Sequence, residues 1–403
     1  MALTVEELVS RTTQQSVLGT YRRAEPVFVA GRGCRLIDDG GREYIDLTAG
    51  IGVNAFGYGD AGIATAMVNA LDTGLVHISN LYRNRPGEEL AAELTGRSFA
   101  DRVFFCNSGG EANEAAIKFS RRRAREVGGP QKHEIVALRG SFHGRLFGSL
   151  AITDRPAWQQ PFEPLMPGAV FAEANLDAVR AVVSAERTAA IFAEPVQGEG
   201  GVVPLSPGFL AGLRGIADDA DALLVFDEVQ CGLGRTGHAF AYEASGVEPD
   251  ILTLAKPLAG GLPMGAVLLT ESVASKVKPG DHATTFGGGP LVASVALNVV
   301  RRVCDAGLLD NVRERGEQVR RVAESWISAG LVSEVRGAGL MLGLVVAGPA
   351  APVVAGAIER GLLVLTAGER VVRLLPPLVI EEAELAAALD ILGTVLRETI
   401  TTD

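Results

Sequence analysis

Residues 223–256, LLVFDEVQCGLGRTGHAFAYEASGVEPDILTLAK, contain two apolar runs that each end at a charged side chain. The first run stops at Asp227 and the second at Lys256. Short runs that are almost wholly apolar are typical of strands buried on both faces of a parallel sheet. Successive parallel strands present their carboxyl ends at one edge, where ligands usually bind. The stretch therefore predicts a parallel sheet with a carboxylate and an amine together at its ligand-binding edge.

Apolar runs of strand length alternate with helix-period segments through the first three quarters of the chain. The other candidate strands are residues 102–107, 134–140, 189–195 and 265–270. This alternation predicts an α/β fold with a mostly parallel central sheet. After residue 290 a long helical segment, two strand-like runs and a terminal helix follow. We predict a large domain over 46–290 and a smaller α+β domain over 291–403, to which the N-terminal segment 1–45 contributes.

Composition and local sequence features argue against nucleic-acid binding, export, membrane insertion, disulfides and metal binding. The chain has 403 residues and a formal net charge of −11, with no basic stripe, which argues against nucleic acid as a partner. The run SRRRAR at 120–125 is best explained as a solvated helix face. The N-terminus lacks signal-peptide features, and no apolar run approaches the ~18 residues of a membrane span, so we expect a cytoplasmic protein. Four widely spaced cysteines and five histidines predict neither disulfides nor a metal site.

Lys256 and Asp227 have the chemistry that pyridoxal phosphate requires. Desolvation favours the neutral amine of a lysine, which makes it a nucleophile toward a carbonyl. The cofactor needs such a lysine, an acidic partner for its pyridine nitrogen and a site for its phosphate. Asp227 taken alone has a simpler explanation as a structural ion pair or helix cap. The nearness of Lys256 favours the cofactor.

A phosphate site is predicted within FFCNSGGEANEAAIKFS, residues 104–120. A strand ends there, Ser108, Gly109 and Gly110 follow, and an alanine-rich helix begins. Free backbone N–H groups and the positive end of the helix dipole would converge on an anion at this turn. An ordinary strand-to-helix turn capped by Ser108 is an equally good explanation of this segment alone.

Several blocks of the sequence resemble the class III pyridoxal-phosphate aminotransferases, and within them the acetylornithine aminotransferase branch. The resemblance runs from about residue 20 to about residue 380. Its blocks include residues 223–256 and the segments NSGGEANEAAIK (107–118), SFHGRLFGSLAIT (141–153), AEPVQGEGGVVPLSPGFL (193–210), TTFGGGPL (284–291) and RGAGLMLGL (336–344). The resemblance implies a fold-type I transferase that works by transamination.

The resemblance also implies roles for individual residues around the cofactor. Lys256 matches the Schiff-base lysine and Asp227 the partner of the pyridine nitrogen. The remaining cofactor positions are the ring-hydroxyl neighbour Gln230, the phosphate loop Ser108, Gly109 and Gly110, and the stacking aromatic Phe142. Thr285 matches a threonine that reaches the phosphate of the neighbouring subunit, which implies a homodimer with shared active sites.

Substrate selection is implied to depend on two arginines and one glutamate. Arg373 matches the residue that binds the α-carboxylate of glutamate or 2-oxoglutarate, and Arg145 the residue that binds the distal carboxylate. Taken alone, Arg145 is equally well explained by a surface ion pair and Arg373 by a solvent-facing strand position. Glu199 matches a glutamate that masks the arginine at position 373 while a terminal-amine donor is bound. Tyr21 and Asn54 match segments that line the donor end.

The implied reaction moves the terminal amino group of N2-acetylornithine to 2-oxoglutarate, a step of arginine biosynthesis. Succinylornithine, ornithine, 4-aminobutyrate and a lysine-pathway donor attached to a carrier protein remain alternatives. Alternatives of other classes are a mutase or decarboxylase on the same scaffold and a non-catalytic binding protein. The chain departs from the usual family pattern at Asp60, Ala61, Leu146 and Gly289, all in loops expected around the pocket.

Overall fold

The computed structural model describes residues 17–400, and its central feature is a seven-stranded sheet. In spatial order its strands are Arg102–Cys106, Gly265–Leu269, Ile251–Leu254, Leu223–Asp227, Thr188–Ala193, Glu134–Leu138 and Ala169–Ala172. Gly265–Leu269 runs in the direction opposite to the other six strands of this sheet. The predicted α/β fold with a mostly parallel sheet is confirmed. The short edge strand Ala169–Ala172 is not among the predicted strands, although its four residues are all apolar; only one of them is buried.

The two strands that the opening stretch predicts are adjacent and parallel. Asp227 pairs with Thr253 of the neighbouring strand. Lys256 therefore lies three residues past the position opposite Asp227. Every residue of Leu223–Asp227 and Ile251–Leu254 is buried, as expected where helices cover both faces.

Three smaller sheets involve the two ends of the chain and one loop. Phe28–Arg32, Arg35–Asp38 and Glu43–Asp46 form antiparallel pairs, and Leu362–Leu363 pairs in parallel with the last of them. The second sheet has the order Val332–Ala338, Met341–Val346, Val371–Leu374 and Leu365–Thr366. Val196–Gln197 and Val203–Pro204 form a two-stranded ribbon. The division into domains at residues 45 and 290 stays a prediction.

Helices surround these sheets. The longer ones are Ala61–Asp72, Arg85–Thr95, Gly109–Gly128, Leu176–Val182, Pro207–Asp219, Pro290–Val303, Ala306–Ser328, Ala350–Glu359 and Glu382–Thr399. Short helical turns occur at Ala49–Gly52, Phe147–Ala151, Pro156–Gln159, Gln160–Phe162, Ala241–Ala244, Lys256–Ala259 and Glu271–Ala274. The helical segment expected after residue 290 is therefore two helices, which are separated by Cys304 and Asp305.

Three observations bear on the function classes that the sequence argues against. Arg122 and Arg123 of the basic run pair with Asp281 and Asp221, so much of its charge is neutralised. All four cysteines are free. Among residues 17–400, no helix combines the length and apolarity needed to cross a membrane.

Candidate active site

A cavity of about 510 Å³ lies at the carboxyl edge of the central sheet. Asp227 and Lys256 both line it, as the strand pattern predicts. Seven further residues implied by the family resemblance also line it: Ser108, Gly109, Gly110, Phe142, Arg145, Glu199 and Gln230. The structure therefore brings nine of the thirteen implied residues together around one space.

Asp227 is buried and surrounded by hydrogen-bond donors. Asn113 Nδ2 donates to its Oδ2 over 2.7 Å, and the backbone N–H of Val229 donates to its Oδ1 over 3.0 Å. His143 Nδ1 lies 2.8 Å from Oδ2. Only 3% of Asp227 is exposed. These contacts hold a carboxylate where it would otherwise be costly to bury.

Sequence reasoning missed the residues that support Asp227. For His143 the sequence offered one indication, its position next to Phe142 in the SFHGR segment. For Asn113 and Thr253 it offered none. Thr253 Oγ1 donates to Asn113 Oδ1 over 2.9 Å and so orients the amide toward Asp227. Burial alone would lower the pKa of His143, but its hydrogen bond and charge interaction with Asp227 outweigh burial and raise that pKa. Within residues 17–400, His143 Nε2 is buried without a hydrogen-bond partner.

A further carboxylate that the sequence did not single out, Glu194, also lines the cavity. It accepts hydrogen bonds from the backbone N–H groups of Phe142 and Gly198, at 2.9 and 3.2 Å. Burial raises the pKa of Glu194 to about 7. Glu194 therefore fixes the backbone next to the ring of Phe142.

Lys256 starts a short helical turn, and Ala255 alone separates it from the strand Ile251–Leu254. Its φ of +33° is unusual for a residue with a side chain, and such strain often occurs at functional sites. Burial lowers the pKa of Lys256, while the charges of Asp227 and Glu199 act in the opposite direction without a hydrogen bond to it. The neutral amine is thus favoured relative to an exposed lysine.

The turn at Ser108 serves as both a helix cap and a wall of the cavity. Ser108 Oγ accepts a hydrogen bond from the N–H of Glu111 at 3.2 Å, so the N-cap explanation holds. The helix Gly109–Gly128 points its N-terminus at the cavity. A Cβ atom on Gly109 would come within 2.6 Å of Val229 Cγ1, so a side chain there would displace Val229. The glycine keeps the chain close to Val229 and leaves the backbone amides accessible to a ligand.

Arg373 and Glu199 form a direct ion pair. Arg373 Nη1 donates to Glu199 Oε1 over 2.5 Å and to Gln230 Oε1 over 3.1 Å. The side chain of Arg373 is 3% exposed and that of Glu199 is 26% exposed. Arg373 is therefore not a solvent-facing strand residue, although it belongs to the strand Val371–Leu374. Its guanidinium lies behind two residues of the cavity wall.

Three of the implied residues lie elsewhere. Tyr21 is 78% exposed and is not part of the cavity wall. Asn54 adjoins the lining residue Val53, and its Oδ1 would be 3.3 Å from a Cβ on the lining residue Gly261. Thr285 belongs to a second cavity of about 820 Å³, with Tyr82 and His282.

The departures from the family pattern have visible structural consequences at two positions. Asp60 caps the helix Ala61–Asp72 through Ile63 N and forms a bidentate pair with Arg302, at 2.6 and 2.8 Å. Leu146 lines the cavity, and its Cγ would be 3.6 Å from a Cβ on Gly110 of the phosphate loop. The other two departures, Gly289 and Ala61, only adjoin or begin helices: Gly289 provides no side-chain cap, and Ala61 is exposed.

Comparisons with known proteins all point to one family. Residues 20–396 match the family model "Aminotransferase class-III". The chain is 48% identical to the mitochondrial acetylornithine aminotransferase of Alnus glutinosa, over 96% of this chain and 87% of that protein. It is 43% identical to the acetylornithine aminotransferase of Methanocaldococcus jannaschii, over 94% and 96% of the two chains.

Solved structures of aminotransferases are also similar to this chain. The N-acetylornithine aminotransferase of Stenotrophomonas maltophilia superposes with a TM-score of 0.83 at 38% identity, covering 94% of this chain and 98% of the other. The ornithine aminotransferase of Toxoplasma gondii superposes with a TM-score of 0.92 at 29% identity, covering 98% and 96%.

Proposed function

The chain belongs to the class-III aminotransferases, and from this premise we propose that it transfers the terminal amino group of N2-acetylornithine to 2-oxoglutarate. The products are the semialdehyde and glutamate, as in arginine biosynthesis. Relatives named acetylornithine aminotransferase are 43% and 48% identical, whereas the ornithine aminotransferase is 29% identical, which favours the acylated donor. The observation that carries the proposal is the ion pair between Glu199 and Arg373.

The residues around the cavity fit pyridoxal phosphate, the cofactor of this class. When bound, pyridoxal phosphate supplies an electron sink that stabilises negative charge at the substrate carbon. The amides of Gly109 and Gly110 at the helix N-terminus, with the Ser108 hydroxyl, would hold its phosphate. Asp227 would hold its pyridine nitrogen in the protonated form, supported by Asn113.

Three further residues act on the cofactor ring and the substrate in this proposal. The Nζ of Lys256 would hold the cofactor covalently at rest and would move a proton at the substrate carbon. Its lowered pKa suits both tasks, because a neutral amine is a nucleophile and a base. Phe142, which lines the cavity, would cover one face of the ring, and Gln230 would lie near the ring hydroxyl.

The two arginines separate the two ends of a substrate. We assign the α-carboxylate of 2-oxoglutarate to Arg373 and the distal carboxylate to Arg145. N2-acetylornithine has no carboxylate beside its reacting amine, so the pair of Glu199 with Arg373 can stay closed during its reaction. A buried arginine left without a partner would be costly, and Glu199 removes that cost. Tyr21 and Asn54 remain predicted residues of the donor end.

We also propose a homodimer in which Thr285 reaches the cofactor phosphate of the partner subunit. Thr285 lies on an exposed segment with Phe286, and the wall of its cavity contains Leu81 and Tyr82. Phe286, Leu81 and Tyr82 are 66%, 89% and 67% exposed. Large apolar side chains exposed in one area favour a protein partner there. A cytoplasmic location stays a prediction.

The test of the proposed function is a donor panel with 2-oxoglutarate as the acceptor. Glutamate formation is measured as kcat/KM for N2-acetylornithine, succinylornithine, ornithine and 4-aminobutyrate. We expect a clear preference for N2-acetylornithine. Preference for ornithine or 4-aminobutyrate would keep the chemistry and refute the donor, and turnover with none of them would point to a carrier-linked donor or to a mutase. A visible absorbance band that is lost on borohydride reduction would exclude the non-catalytic protein.

A further inference from the structure

Aromatic rings hold the Arg145 guanidinium at the cavity wall. Its guanidinium carbon lies 3.6 Å from the centroid of the Trp158 ring and 5.9 Å from that of Phe142. Arg145 is exposed, and within residues 17–400 it forms no ion pair with a carboxylate. The contact that fixes it is therefore aromatic.

Trp158 lies behind the cavity wall and is not part of it. Its ring meets the ring of Phe142 edge to face, with centroids 6.0 Å apart and an interplanar angle of 87°. It therefore contacts two lining residues from outside, one assigned to the cofactor ring and one to the distal carboxylate. No motif in the sequence indicated this residue.

The short helix Pro156–Gln159 that carries Trp158 is anchored at both ends. Gln159 Nε2 donates to the carbonyl groups of Leu150 and Thr153, at 3.0 and 2.9 Å. On the other side, Arg155 donates to the carbonyl of Glu199 over 2.9 Å. The indole is thus a fixed platform in an otherwise exposed segment.

A guanidinium stacked on an aromatic ring keeps its function as a carboxylate ligand. Stacking uses the face of the planar group, while its N–H donors point outward in the plane. A carboxylate can therefore be bound along the edge without breaking the stack. Because the stack restricts a long side chain before the substrate arrives, less entropy is lost on binding.

We propose that Trp158 is a positioning residue that orients Arg145 for the distal carboxylate of the substrates. This inference rests on the proposed role of Arg145 and adds a specificity determinant to it. Trp158 should matter for substrates that carry a distal carboxylate and should be irrelevant for those that lack one.

The experiment compares two acceptors with the aminated form of the enzyme: 2-oxoglutarate and 2-oxobutanoate, which has no second carboxylate. Trp158→Leu keeps an apolar side chain of substantial size and removes the π face. We expect it to raise KM for 2-oxoglutarate about 2- to 30-fold, the range that corresponds to cation–π contacts, with kcat within about twofold. The kcat/KM for 2-oxobutanoate should stay within about twofold. Trp158→Phe should recover most of the loss.

Equal losses with both acceptors, or no loss in Trp158→Leu, would overturn the positioning role. The variant Arg145→Met separates this failure from failure of the underlying assignment. If Arg145→Met leaves KM for 2-oxoglutarate unchanged, the role of Arg145 itself is refuted. If Arg145→Met raises that KM, adding Trp158→Leu should cause no further loss, and an undiminished loss would refute coupling between the two residues. None of these results depends on which amine donor is preferred.

Discussion

The ion pair between Glu199 and Arg373 makes a sharp prediction about substrate choice. In the variant Glu199→Gln, Arg373 loses its anionic partner but keeps a neighbour of the same shape. The arginine should then bind an α-carboxylate more readily. We expect kcat/KM for glutamate, which has such a carboxylate, to rise relative to kcat/KM for N2-acetylornithine, which has none beside its reacting amine.

The size of the shift follows from the environment of the pair. Unit charges about 4 Å apart attract by about 4 kcal/mol at an effective dielectric constant of 20. Arg373 is almost fully buried, but 26% of the Glu199 side chain is exposed, so water replaces part of this attraction. A remaining difference of about 1–3 kcal/mol corresponds to a change of about 5- to 150-fold in the ratio of the two kcat/KM values.

Single-turnover amination of the cofactor by each donor, followed by the change in cofactor absorbance, measures this ratio directly. Glu134→Gln is a matched control, since Glu134 pairs with Arg187 at 2.8 Å at the opposite end of the parallel strands. The control should leave the ratio unchanged. A ratio in Glu199→Gln within twofold of the wild type, or a shift toward N2-acetylornithine, would refute the masking role of Glu199.

Three further predictions concern the lysine, a buried glutamate and one departure from the family pattern. Lys256→Ala should abolish turnover while the far-UV circular dichroism is retained, and measurable activity in the pure variant would refute its role. Burial raises the pKa of Glu228 to about 8. Between about pH 4.5 and pH 8 the folded protein then binds the extra proton, so the free energy of unfolding should fall as pH rises, by several kcal/mol, and less in Glu228→Gln. Urea unfolding at pH 5.5 and 8.5 measures this fall in the wild type and in Glu228→Gln. An equal fall in the free energy of unfolding of both proteins would show that Glu228 is not its cause. Asp60→Asn keeps a side chain that can cap at Ile63 and loses the ion pair with Arg302, so we expect a loss of about 1–2 kcal/mol in urea unfolding without a change in kcat. Unchanged stability would show that the pair contributes nothing.

The strand pattern predicted the common location of Asp227 and Lys256 well for a physical reason. A strand buried on both faces must be apolar, so a charge marks the point where the chain leaves the sheet. Asp227 and Lys256 are both of this kind. Parallel pairing then brings them to the same edge, which requires no knowledge of the rest of the fold.

The supporting residues could not be predicted in this way. Asn113 is 114 residues from Asp227 in sequence, and His143 is 84 residues away. Neither interrupts an apolar run, because one is within a helix and the other is in a loop. Their contact with Asp227 depends on how the helix Gly109–Gly128 packs on the sheet, which periodicity does not determine. The same holds for Trp158, which reaches Arg145 through the packing of a short helix.

The two arginines are held by opposite means, and the proposed reaction gives a reason. The α-carboxylate site is needed by 2-oxoglutarate and must be closed for N2-acetylornithine, so an anion that can leave, Glu199, suits Arg373. The distal site is needed by both substrates in this proposal, because the α-carboxylate of N2-acetylornithine lies at the end remote from its reacting amine and would also bind Arg145. An anionic partner there would compete with each of them in turn, whereas the neutral face of Trp158 orients Arg145 and leaves its N–H donors free. An arginine that must be free in one half-reaction and masked in the other is thus suited to a carboxylate partner. An arginine that binds substrate in both half-reactions is suited to an aromatic one.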